Sequence, residues 1–144
     1  MTEPTSPCTC FQLRRAARRS TQLYDQHLAA AGLSLNAYSI LRRARQPRPL
    51  GELAQALGMD RTTLTRNLKP LLAEGLLEQL PGPHDARQRE VRLTADGQAR
   101  LRRARPLWRR AQAAFEARFG ERDNQHLLQL LERLEQRLAG VADA

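Results

Sequence analysis

The chain has 144 residues, enough for one domain with a core of its own and little room for a second. Its 24 basic residues outnumber 15 acidic ones, for a net charge of +9, and 23 of the 24 are arginine, so polyanions and above all nucleic acid are the expected partners. No run approaches the roughly 20 apolar residues of a membrane span, and the opening MTEPTSPCTC lacks the basic-then-apolar order of a secretory signal. A cytoplasmic location is expected, where a structural disulfide between Cys8 and Cys10 does not persist.

The Pro/Ser/Thr-rich start reads as a flexible arm over residues 1–9. Cys10, Leu13, Ala17, Tyr24, Leu28 and Ala31 then recur at helical spacing and predict one helix over 10–32, ending near Gly32. Ser34 is placed to cap a second helix through Leu35, Tyr38 and Leu41, which Pro47 and Pro49 terminate.

In LGELAQALGMDRTTLTRNLKPLLAEGLL, Leu50, Leu53, Ala54 and Leu57 share one short apolar face and Gly58 supplies a turn. Asp60 caps a further helix that turns Leu64, Leu68, Leu71 and Leu72 inward. Two short helices on a tight glycine turn read as a helix-turn-helix. Thr62, Thr63, Arg66 and Lys69 lie opposite the leucines, with short hydroxyls first and cations further on, as a helix in a major groove requires. A solvated polar face is the alternative for those four.

Leu76–Leu80, a PGPHDARQRE loop and the alternating EVRL predict two strands forming a wing. Arg87 and Arg89 at its tip suit a narrow minor groove, with Asp85 expected to hold the Arg87 guanidinium. Thr94 caps a long helix from about Ala95 to Phe119, which Pro106 is expected to kink without ending. After Gly120, the stripe Leu127, Leu130, Leu131, Leu134 and Leu138 exceeds what one small winged domain can cover. Residues 10–32 and 95–141 are therefore expected to form a twofold homodimer seam around a winged helix-turn-helix at 34–94, within a single domain spanning 1–144.

DARQREVRLTADG, residues 85–97, resembles the wing signature of the MarR family of bacterial transcriptional regulators. LGELAQALGMDRTTLTRNLKPLLAEGLL is similar to the family's helix-turn-helix, and GLSLNAYSIL to the segment opening its second helix. The resemblance runs from about Cys10 to Leu138. It implies a mainly α winged helix-turn-helix fold with a small β-hairpin, Asp85 and Arg87 at the minor groove, and Thr62, Thr63 and Arg66 at the major groove. It further implies a dimeric repressor released from a pseudo-palindromic operator by a small molecule or an oxidant.

CFQLRRAAR resembles the first helix of the organic hydroperoxide regulators, with Cys10 at the place of their reactive cysteine. Tyr38 matches one of the two tyrosines that hold that thiol, and Leu35 stands where the other would be. Cys10 is thus a redox candidate beside the alternative of inert packing. Tyr24, Tyr38, Arg42 and Trp108 are candidates to line a small-ligand pocket. Cys8 and Cys10 with the scattered His27, His84 and His126 form no recognisable metal-ligand set, and no cofactor is expected. With no nucleophile elbow or phosphate loop, a regulator is expected over an enzyme. The rival is a basic architectural or RNA-binding protein without sequence choice.

Overall fold

The computed structural model describes residues 4–140, with six α-helices and one three-stranded sheet among them. Helix α1 (Thr9–Leu28) starts earlier than the apolar pattern indicates because Cys8 is its cap, with Sγ accepting the Phe11 N–H at 3.4 Å. The Ser6 hydroxyl accepts the Cys8 N–H at 3.2 Å, so the arm expected over 1–9 is bonded to the helix from Ser6 onward. Residues 1–3 of that arm, and residue 141 of the expected C-terminal segment, lie outside the described residues.

A single 3-10 turn (Ala29–Ala31) and Gly32 separate α1 from α2 (Leu35–Arg43). The Ser34 hydroxyl accepts the Ala37 N–H at 3.1 Å and the Asp25 carboxylate of α1 accepts the Leu35 N–H at 2.7 Å. Two of the donors that a helix start leaves unpaired are thereby satisfied, one by a residue that ties α2 to α1.

Next come β1 (Arg48–Pro49), α3 (Leu50–Leu57), α4 (Arg61–Ala73), β2 (Leu77–Pro81) and β3 (Arg89–Leu93). The sheet is antiparallel in the order β1-β3-β2, with Val91 opposite both Arg48 and Gln79. The expected hairpin is present, but a third strand joins it. Two residues are too few to show alternation, and Pro49 is tolerated because β1 is an edge.

The Thr94 hydroxyl oxygen accepts the Gly97 N–H at 3.0 Å to cap α5 (Ala95–Phe119), which continues through Pro106. α6 (Glu121–Leu138) follows Gly120. Helix α5 packs along α1 and across α2, and one core runs from Leu28, Tyr38, Ile40 and Leu41 through Leu53, Leu64 and Leu68 to Val91 and Leu101. Burying each such aliphatic side chain contributes about 1.5–3 kcal/mol, and Leu64 and Leu68 anchor α4 in this core. Among the described residues no helix is long and apolar enough to cross a membrane.

Candidate nucleic-acid interface

Between α3 and α4 the chain reverses at Gly58, whose φ of +66° a side chain would strain. Its N–H bonds to the Gln55 carbonyl at 3.1 Å and the Met59 N–H to the Ala54 carbonyl at 2.9 Å. Ala54 and Leu64 are both buried in the crossing of the two helices, as the motif's spacing predicts.

Asp60 then caps α4, its Oδ1 accepting the Thr63 N–H at 2.7 Å. Hydrogen bonds from the Thr63 backbone and hydroxyl, helped by the Arg66 charge, hold this carboxyl below the usual aspartate range. A lowered pKa adds stability above the unfolded value, and that stability is lost as pH falls through the folded value. Acid titration of thermal stability should therefore show a smaller loss in Asp60→Asn than in the wild type. An identical acid slope in both would mean that the cap carries no linkage.

Helix α4 contains no acidic residue. Arg61, Thr62, Thr65, Arg66 and Lys69 are exposed on it, whereas Thr63 is half-buried and its carbonyl accepts from the Asn67 amide at 2.8 Å. Arg61 and Thr65 were not singled out from the sequence. Thr65 follows Thr62 by three residues, and that spacing is the signal for it.

In the wing, the loop from Gly82 to Gln88 joins β2 to β3. Asp85 does not hold the Arg87 guanidinium in an ion pair. Its carboxylate accepts the backbone N–H of Arg87 at 3.0 Å, and its carbonyl accepts that of Gln88 at 3.0 Å. An Asx-type turn two residues on is the shorter reach for an aspartate, and it leaves the Arg87 side chain exposed for a partner. A Cβ on Gly82 would lie 2.4 Å from the Gln88 carbonyl, so the tip closes only around glycine. Arg89 is likewise exposed, while Arg92 pairs with Glu78 across the strands.

Of the candidate ligand residues, three come together. The Tyr38 ring stacks on Trp108 with centroids 6.2 Å apart, and the Arg42 guanidinium lies 5.8 Å from the Trp108 centroid. Tyr38 is only 3 % exposed, so its ring fills core. Tyr24 points elsewhere, with its hydroxyl hydrogen-bonded to Gln112 and its ring tilted on Phe115 at 6.4 Å. Burial, then the charge of Glu116, raise its pKa. Cys10 is exposed at the start of α1, about 22 Å along the axis from Asp25, where α2 begins.

A cavity of about 730 Å³ runs between α1, α5 and α6, lined by Leu23, Phe115, Phe119 and Leu127. On α1 and α6, Phe11, Leu13, Leu130 and Leu138 are exposed.

Residues 31–88 match the model of the MarR family. The multiple antibiotic resistance protein MarR of Salmonella typhimurium is 34% identical over 85 residues, covering 57% of this chain and 58% of that protein. The M. tuberculosis transcriptional regulator MosR, solved in complex with DNA, is 39% identical over 90% of this chain and 97% of that one, with a TM-score of 0.77. The chain belongs to the MarR family. The repressor CouR, solved on a 23-mer DNA duplex, superposes with a TM-score of 0.80 at 26% identity, over 92% of this chain and 99% of its own. The family's winged helix-turn-helix here comprises α2 to β3, with the cationic face of α4 and the arginines of the wing as its two outward features.

Proposed function

We propose that two copies of this MarR-family chain associate through α1, α5 and α6 and hold their α4 helices about 34–36 Å apart, in successive major grooves of a pseudo-palindromic operator. One observation carries this reading: an acid-free, exposed α4 face beside an ordered arginine wing, in a chain 39% identical to a regulator solved on DNA. Thr62, Thr65 and Arg66 read base edges, with Thr63 at their margin. Arg61 and Lys69 meet phosphates, and Arg87 and Arg89 enter the minor groove under the turn that Asp85 orders. The protein acts as a cytoplasmic repressor without catalysis of its own. It is released when a small ligand at Arg42 and Trp108, over the buried Tyr38 ring, or oxidation of Cys10, changes the spacing of the two α4 helices. Tyr24 contributes through the α1–α5 contact.

Titration of a promoter fragment against excess random DNA at several salt concentrations tests this reading. Arg87→Ala should weaken the specific complex by about 1–3 kcal/mol and leave the oligomeric state unchanged. Equal affinity for promoter and random DNA would return the chain to the non-specific class. The same titration after an organic hydroperoxide, in wild type and Cys10→Ser, tests the thiol: equal loss in both excludes Cys10.

A further inference from the structure

Arg45, Arg102 and Arg105 line a cavity of about 290 Å³ whose lining includes no residue of α4 or of the wing loop. Arg45 comes from the loop that follows α2, and Arg102 and Arg105 are three residues apart on one face of α5. Leu93 and Leu101, 6 % and 2 % exposed, wall the cavity, and Gln98 adds an amide. Among the described residues, ion pairs engage Arg92 with Glu78 and Arg100 with Glu74, and none involves these three arginines. Glu78, which lines the neighbouring cavity, is thus already held.

Three like charges around one small cavity repel one another unless an anion lies between them. Guanidinium forks match carboxylate and phosphate oxygens in paired hydrogen bonds, and apolar walls strengthen those bonds by excluding water. We propose that Arg45, Arg102 and Arg105 form a binding site for a compact, multiply charged oxyanion. Arg45 and Arg102 are exposed and Arg105 is half-buried, and the concave surface between them admits a compact anion, whereas a duplex presents a convex backbone to Arg66 and Arg87. The occupant is therefore a free small molecule rather than the DNA backbone. It joins the loop entering β1 to α5, and the site stands whether or not the chain reads DNA as proposed.

Inorganic pyrophosphate is the probe, titrated calorimetrically into the full chain at ionic strength held constant with chloride. Saturable binding of one pyrophosphate per chain is expected, with affinity falling about tenfold or more in Arg102→Gln and again in Arg105→Gln, and less in Arg105→Lys. Phenylglyoxal mapping of the wild type needs no variant to fold. Pyrophosphate should protect Arg45, Arg102 and Arg105 and spare Arg66 and Arg87, with a random duplex giving the reverse. Unchanged affinity in the glutamine variants overturns the proposal, as does protection spread over all exposed arginines. Protection of the three by duplex but not by pyrophosphate assigns them to DNA and overturns it equally.

Discussion

Replacing Leu130 and Leu138 together with aspartate should leave a folded monomer whose operator affinity has fallen about 10²- to 10⁴-fold. In a single chain these leucines are 44 % and 53 % exposed, so the aspartates stand in water and the cost to folding is confined to helix propensity, about 0.5 kcal/mol each. In the proposed dimer each sits on the apolar stripe of α6 that a second copy covers, the same helix whose Leu127 lines the 730 Å³ cavity. Burying four unpaired carboxylates there opposes association by several kcal/mol, more than an apolar seam between two chains of charge +9 can absorb. Loss of the dimer converts two tethered half-site contacts into one, which accounts for the drop in affinity. Light scattering gives the mass and circular dichroism the helix content. A dimer that survives both substitutions places the interface elsewhere on the chain.

Local chemistry was the legible part of this molecule. Ser34, Asp60 and Thr94 all cap the helices that their positions predict, because a cap needs only a short side chain and the next turn of backbone. Cys8 escaped the same reasoning because a thiol is a weak acceptor and an uncommon cap. The leucine stripes located the core, yet a hundred-degree wheel distinguishes Thr63 from Thr65 poorly until the neighbours of α4 are known. Asp85 and Arg87 illustrate the difference between finding residues and finding their bond: both stand in the wing as expected, but the carboxylate takes a backbone N–H instead of a guanidinium. Least legible were features made by convergence. Nothing in the sequence brings Arg45 to Arg102, and two residues at β1 have no periodicity to detect.

The wing signature ends in Thr94 and Gly97, and two glycine substitutions of opposite expected sign show why. A Cβ on Gly97 would lie 2.0 Å from the Leu76 carbonyl oxygen and 3.0 Å from Leu93 Cδ2. That carbonyl cannot swing away freely, because it accepts the Thr94 N–H at 3.1 Å, while the Thr94 hydroxyl donates to the Gly75 carbonyl. Gly97→Ala must therefore push α5 off the sheet or break the bonds that seat β3 against the end of α4. The roughly 1 kcal/mol that alanine gains in a helix is overwhelmed, and a net loss of about 3 kcal/mol or more is expected. Gly51, in the first turn of α3, has nothing within 4 Å of the same added atom. Gly51→Ala should stabilise the fold by about 0.5–1 kcal/mol, through helix propensity and a less free unfolded chain. Urea unfolding at constant m-value measures both. If Gly97→Ala unfolds at the wild-type midpoint, α5 does not approach Leu76 this closely, and the glycine of the signature must serve something other than helix-to-sheet contact. If it unfolds early, operator affinity should fall with it, because β3 enters α5 through this contact and the wing arginines are positioned by that strand.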